Sequence, residues 1–255
     1  MEKNSKKAIY AKYGIEYENG KINAPLFGWI APLLVNGNAK LGKGVWTFST
    51  LPGTLDYNIC GHSVKGTCAC DCKGCYAQSG FYRMNSTIKA LGIRTILARL
   101  ALDFVKRAII AQIKADNIQL CRIHASGDFF SMDYVNIWRE IAIACNACVF
   151  WSYTKNAQAE NAFDDLSNVN IVKSLIPGIG MNYGTCDYVM NAFNTLKASG
   201  KKVHICKCGI DKNQHCNNCK GCSENEYVLF IEHSTAYKAE QDTSYPKLAE
   251  MVNAQ

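Results

Sequence analysis

From residue 44 onward the chain alternates short runs of β-branched, aromatic and aliphatic residues with longer stretches whose apolar positions recur at helical spacing. The short runs are "GVWTFST" (44–50), "IQLCRIHA" (118–125), "CVFWSYT" (148–154), "NIVKSLI" (170–176), "KVHIC" (202–206) and "YVLFIEHS" (227–234), and their composition predicts six strands. Between Thr87 and Ala115 the residues Leu97, Leu100, Ala101, Phe104, Val105, Ala108 and Ile109 fall on one face of a helix, which predicts a single long amphipathic helix. Further helices are predicted over Met132–Cys145, Asn156–Leu166 and Cys186–Ala198, with a closing helix over Lys247–Val252. Strands alternating with helices imply an α/β fold with a parallel sheet and right-handed crossovers. Six strands suit a partial (β/α)6 barrel. A flat doubly wound sheet is the alternative, because periodicity does not report sheet curvature.

This pattern divides the chain into an N-terminal extension (1–43), a partial βα barrel (44–206), a cysteine-rich insertion (207–226) and a last strand with the closing helix (227–255). With 255 residues, 48% of them hydrophobic, the chain can bury a substantial core. The formal net charge of +7 permits contact with nucleic acid or another anion. The basic residues are dispersed, however, and read mainly as a solvated surface. The charged start Met1–Lys7 leads into no apolar signal core, and "APLFGWIAPLLV" (24–35) is too short to span a bilayer and is broken by two prolines. A cytoplasmic protein with no membrane partner is the expectation.

The cysteines change the picture. There are 14, five between residues 60 and 75 and five between 206 and 222. A long chain without a secretion signal is not a disulfide framework in its ordinary setting, and clustered cysteines in a reducing compartment more often bind metal. In "TCACDCKGCYA" (67–77), Cys68, Cys72 and Cys75 have the spacing C-x3-C-x2-C on a loop that leaves the first strand and enters a helix. Three thiolates hold three corners of a four-iron cluster and leave one iron open, whereas a structural zinc site is closed by four ligands. Cys70 is a competing thiol, and Cys60 with His62 in the preceding "CGHSVKG" could complete a zinc site with two loop cysteines.

The spacing after the first strand of a βα unit resembles the radical S-adenosylmethionine superfamily. The wider pattern of "LPGT" (51–54), the cysteine loop, "RIHASGDFFSMDYVNIW" (122–138) and "FWSYTKN" (150–156) resembles the phage "gene product 88" family, over about residues 46–230. The superfamily resemblance implies a [4Fe-4S] cluster with an open iron on Cys68, Cys72 and Cys75. It implies that S-adenosylmethionine bound there is cleaved reductively to methionine and a 5′-deoxyadenosyl radical, which abstracts hydrogen from a substrate. It also implies an electron donor such as flavodoxin or ferredoxin. One departure is Gly74, where superfamily members usually carry an aromatic residue; here Tyr76 follows the third cysteine.

In βα barrels ligands bind at the C-terminal ends of the strands, and polar residues stand at each such end here. By the same resemblance, Ser126, Gly127 and Asp128 after the second strand stand where the superfamily receives the methionine amine of the cofactor; the alternative is a turn with Asp128 as a helix cap. Ser152, Tyr153, Thr154 and Lys155 follow on the third strand, and Ser174 and Asn182 on the fourth, as donors to the cofactor or substrate or to the loop backbone. His124 is either lumen-facing with Arg122 or a hydrogen-bonded core residue. The aromatics Phe150, Trp151 and Tyr153 read as core packing.

The second run, "CKCGIDKNQHCNNCKGC" (206–222), places Cys216, Cys219 and Cys222 at C-x2-C-x2-C spacing, with Cys206 or Cys208 as a fourth thiolate. Four protein ligands close a second [4Fe-4S] cluster, or equally a zinc site with His215 as a further candidate. The functional readings are therefore a radical enzyme of unidentified substrate, with nucleotides or nucleic acid among the candidates; a zinc-dependent nucleic-acid-binding module with two structural cysteine clusters; and a redox protein that only relays electrons.

Overall fold

The alternating pattern resolves, in a computed structural model that describes residues 3–37, 41–69, 75–207 and 214–231, into a mixed α/β architecture with several small sheets. Cys70, Cys72, Gly74, Cys208 and the predicted closing helix lie outside the described residues. The N-terminal extension begins with helix α1 (Lys3–Lys12) and an antiparallel meander of β1 (Tyr17–Glu18), β2 (Lys21–Ala24) and β3 (Gly28–Ile30). Strand β4 (Val35–Asn36) then forms an antiparallel edge on β5 (Val45–Phe48), the first predicted strand.

Before the cysteine loop lies a hairpin, β6 (Asp56–Ile59) and β7 (His62–Lys65). Its two-residue turn is Cys60-Gly61, with φ of 51° and 88°, the conformation that favours hairpin closure. Cys60 is thus an exposed turn residue, and its hairpin neighbour His62 is exposed as well.

The single long helix expected between Thr87 and Ala115 is two helices, α2 (Asn85–Leu100) and α3 (Leu102–Asp116). The chain leaves helical geometry at Ala101 (φ −141°, ψ 50°). Leu91 of α2 packs with Leu51, Ile59 and Val64 at the hairpin, while Leu97 and Ala98 at the end of α2 and Val105, Ala108 and Ile109 of α3 enter the main core.

Next come β8 (Leu120–Ile123), α4 (Met132–Ala144), β9 (Val149–Thr154), a short α5 (Ala157–Glu160) where a longer helix was expected, and β10 (Val169–Lys173). β5, β8, β9 and β10 are adjacent and parallel. A small hairpin, β11 (Leu175–Ile176) and β12 (Gly180–Met181), leads to β13 (Tyr183–Gly184), α6 (Cys186–Ala198), β14 (Val203–Ile205), the turn of helix α7 (Gly221–Glu224) and β15 (Tyr227–Ile231). β15 runs parallel between β13 and β14. The Lys173 N–H donates to the Glu226 carbonyl (3.1 Å), which sets the end of β10 against the start of β15 on the side away from β14.

The two faces of these strands carry different cover. Phe48, Cys121, Ile123 and Phe150 face α3 and α4, where Trp138, Val105 and Ile109 complete the main core, and α6 covers Leu229 and Ile231. On the opposite face stand Val45, Leu120, Trp151, Tyr153, Val172 and Val228, and the second cysteine segment packs on them. Residues two apart on a strand share a face, which is why neighbours such as Phe150 and Trp151 serve different layers.

One buried polar clamp fastens the extension to this core. Gln112 of α3, 2% exposed, donates through Nε2 to the Leu34 carbonyl and accepts the Leu34 N–H at Oε1, both at 2.8 Å. Replacing it by Leu strands a buried donor and a buried acceptor, each costing about 1–3 kcal/mol. The Gln112→Leu protein is therefore expected to lose about 2–4 kcal/mol in urea unfolding; an unchanged midpoint would show that Leu34 finds water or other partners.

Candidate functional site

The cysteine loop rises from the C-terminal end of β5 and is tied to the ends of its neighbours. The Thr67 hydroxyl donates to the Leu51 carbonyl (3.0 Å), lies 2.8 Å from the Thr50 hydroxyl and accepts the Asp128 N–H (3.1 Å). Ser126 donates through its hydroxyl to the Thr50 carbonyl (2.9 Å), and its own carbonyl accepts the Thr50 N–H. Gly127, at φ 85°, is squeezed between these threonines: a Cβ there would come within 1.9 Å of Thr50 Oγ1 and 2.6 Å of Thr67 Oγ1. Glycine is thus required both by the backbone conformation and by the close approach.

Asp128 lies in the same knot and is 5% exposed. Its Oδ1 accepts the Phe129 N–H (2.7 Å) and the Thr154 hydroxyl (2.6 Å), and its Oδ2 accepts the Lys155 N–H (3.0 Å). Burial pushes its pKa up, and these three donors pull against that rise. The carboxylate therefore joins the end of β8 to the end of β9; it does not cap the next helix, α4, whose N-cap is Ser131. With about four lone-pair sites it keeps capacity for one further donor.

Ser152 and Asn182 spend their side chains on backbone carbonyls. Ser152, fully buried, donates to the Ile123 carbonyl (2.8 Å) within the sheet. Ser174 accepts through its carbonyl the Asn182 N–H (3.1 Å), and Asn182 in turn donates through Nδ2 to the Val228 carbonyl (3.0 Å). These two stitch the end of β10 to β15. Asn156 donates to the Phe129 carbonyl (3.0 Å) and caps α5 through the Gln158 N–H.

Of the loop thiols, Cys68 is half-buried, its N–H donates to the Gly53 carbonyl (3.1 Å) and its Sγ accepts the Gly53 N–H (3.1 Å). An amide donor at a thiolate sulfur is the contact that tunes a metal-bound cysteine. Cys75 is half-buried at the start of a single helical turn, Tyr76–Gln78.

His124 is a core residue. It is buried, adopts the left-handed region (φ 63°), approaches the Tyr134 hydroxyl through Nε2 (2.8 Å) and lies edge-on to Phe129 and Trp138. Burial first, and the charge of Arg122 second, push its pKa down to about 3. Arg122 points to the other face, where its guanidinium carbon is 4.9 Å from the centre of the Tyr153 ring.

That face holds a second site. A cavity of about 170 Å³ is lined by Cys206, Cys216, Cys219, Cys222, His204 and Trp151, among others. The Tyr153 hydroxyl lies 2.6 Å from Cys222 Sγ, and His204 Nε2 lies 3.8 Å from Cys219 Sγ. Burial is the first cause of the raised pKa of both Cys219 and Cys222, the latter pushed up to about 12. Asn170 of β10 donates to the carbonyls of Cys222 and Asn225 (both 2.8 Å), holding α7 on the sheet. Gly221 makes this approach feasible, since a Cβ there would fall 2.2 Å from the His204 ring.

Sequence reasoning passed over Thr50, Thr67 and His204. His204 was legible, because it stands two residues before Cys206 on a strand and so shares its face. Thr67 had only the weaker signal of a hydroxyl immediately before the first loop cysteine.

The buried histidine carries a pH expectation. An unfolded histidine takes up a proton near pH 6.5 that the folded one refuses until about pH 3, so stability is complete above 6.5 and falls as pH drops through that window, by up to about 1.4 kcal/mol per pH unit. His124→Asn, whose side chain tolerates the left-handed backbone, should flatten the slope of unfolding free energy between pH 6.5 and 4. Equal slopes in the two proteins would place the responsible group elsewhere. At the strand-end knot, Asp128→Ala should lower unfolding free energy by about 3 kcal/mol by stranding three donors; a loss below about 0.5 kcal/mol would show that the carboxylate does not hold the strands together.

Among the described residues no helix is long and apolar enough to cross a membrane. No curated protein and no solved structure matches the chain. A family model, Gene product 88, matches residues 32–177, which takes in the cysteine loop and the four adjacent parallel strands and stops short of the second cysteine site. On that match, which spans more than half of the sequence, the chain belongs to the gene product 88 family.

Proposed function

We propose that the chain is a radical S-adenosylmethionine enzyme built on a partial βα barrel, with Cys68, Cys72 and Cys75 as ligands of a [4Fe-4S] cluster whose fourth iron is open. The observation that carries this reading is the seat of the loop. Thr67 and Cys68 follow the β6–β7 hairpin and are hydrogen-bonded back onto the chain just past the C-terminal end of the first of four adjacent parallel strands, and across to the turn that follows the second. C-terminal strand ends are where βα architectures bind ligands. Helices α3, α4 and α6 also lie on one face of the strands, as around a barrel wall and unlike a doubly wound sheet.

Bound there, the reduced cluster would pass one electron to S-adenosylmethionine, supplying reductive cleavage to methionine and a radical able to take a hydrogen atom from substrate. In this reading the protein's work is positioning. Gly53 N–H moderates the charge on Cys68 Sγ. Ser126, Gly127 and Asp128 give the turn beside the loop its shape, and a bound cofactor would be received by their backbone and the remaining acceptor capacity of Asp128. Ser152, Ser174 and Asn182 hold the neighbouring strand ends in register and act on the cofactor through that scaffold. An electron donor of the flavodoxin or ferredoxin class fits this chemistry, and the substrate is assigned no closer than a group with an abstractable hydrogen.

The test is anaerobic purification followed by incubation with S-adenosylmethionine and dithionite. The expected result is a brown protein containing iron and acid-labile sulfide that forms 5′-deoxyadenosine, with formation abolished in Cys68→Ser, Cys72→Ser and Cys75→Ser alike. Iron-replete protein that yields no 5′-deoxyadenosine would overturn the enzyme reading, and retention of activity in Cys72→Ser with loss in Cys70→Ser would overturn the ligand register.

A further inference from the structure

From the cavity beneath the second cysteine segment we infer that Cys206, Cys216, Cys219 and Cys222 hold a polynuclear iron-sulfur cluster, and that Tyr153 is a positioning residue that donates its hydroxyl hydrogen to the Cys222 sulfur. This inference is independent of the radical-enzyme reading, since it uses none of the loop cysteines and its four thiols lie outside the residues that the family model matches.

Three features support it. Four thiols of the 206–222 segment come to one cavity: Cys206 directly follows β14, Cys216 lies in a single helical turn, Cys219 ends that turn and Cys222 is in α7. None of the four is in a disulfide. Second, the space suits a cluster better than one ion. A single water needs about 10–15 Å³ of such volume, and this cavity has about 170 Å³. A lone zinc draws four sulfurs to about 2.3 Å from one point, whereas a four-iron cluster has four separate iron corners for its thiolates; Cys206, Cys216, Cys219 and Cys222 all line this one cavity. Third, the surroundings match what tunes a cluster. Trp151 and Leu120 form an apolar floor, the Tyr153 hydroxyl is 2.6 Å from Cys222 Sγ, and the Arg122 guanidinium lies over the Tyr153 ring. Hydrogen bonds to the sulfurs, local charge and burial are the protein's means of setting a cluster's potential.

Four thiolates leave no iron open, so this site differs in kind from the loop. The hydroxyl hydrogen bond stabilises the extra negative charge of the reduced cluster and therefore raises its reduction potential.

The full-length Cys68→Ser/Cys72→Ser/Cys75→Ser variant, purified anaerobically, isolates the second site. It should retain about four irons and four sulfides per chain. Adding Tyr153→Phe should leave iron content unchanged and shift the midpoint potential, followed by electron paramagnetic resonance during a dithionite titration, to a more negative value. Should the loop variant fail to fold, the comparison is made in the otherwise native chain: Cys216→Ser/Cys219→Ser should remove about four irons per chain while circular dichroism stays unchanged, and Cys208→Ala should remove none. About one zinc per chain in place of iron, or no metal at the site, overturns the cluster. Iron lost in Cys208→Ala overturns the assignment to Cys206, and an unmoved potential in Tyr153→Phe overturns the role of the tyrosine.

Discussion

The Thr67 hydroxyl and the Asp128 carboxylate together decide how the ends of three parallel strands are arranged. Parallel strands pair through their backbones only as far as the ladder runs, and past its end each chain turns away with unpaired amides. Here the ladder of β5, β8 and β9 gives out near Phe48, Ile123 and Thr154, and side chains take over. Thr67 brings the cysteine loop back onto Leu51 and reaches across to the Asp128 amide, and the Asp128 carboxylate gathers the Phe129 amide in the turn after β8 and the Lys155 amide directly after β9. The loop that carries Cys68 is thus fixed relative to the sheet by short, buried hydrogen bonds. Gly127 belongs to the same solution, because the two threonines approach so closely that no side chain fits between them and its own Cα.

The second organising constraint is that the sheet must cover both faces with unequal material. Helices supply one cover cheaply, since a helical stripe of Val105, Ala108 and Ile109 matches the aliphatic face of β5, β8 and β9. The other face presents Leu120, Trp151, Tyr153 and Val172, and the segment available to cover it is short and poor in large apolar side chains. Cysteines take their place there: Cys216 and Cys222 pack on the aromatic floor, and Asn170 ties the carbonyl of Cys222 to β10. These contacts make the segment from 214 to 226 part of the sheet's packing.

Where each element would form was largely legible, because strand and helix periodicity are local. The helices at Met132–Ala144 and Cys186–Ala198 and the strands at 120–123, 149–154 and 203–205 sit where the apolar pattern puts them. The break at Ala101 was not, because the residues on either side continue one helical stripe without a glycine or proline; α2 reaches the hairpin through Leu91 and already meets the main core through Leu97 and Ala98 before α3 continues there with Val105. The same distinction separates the two cysteine sites. Spacing alone singled out the thiols of both, but not what faces them. Tyr153 reads in sequence as one aromatic among Phe150 and Trp151, and only the parallel pairing of β9 with β10, together with the return of the chain at α7, brings its hydroxyl to Cys222. Asp128 shows the converse. Its sequence setting allowed both a ligand and a cap, and the deciding partners, Thr154 and Lys155, stand more than twenty residues away on the next strand, so no local reading could have counted the donors already committed to it.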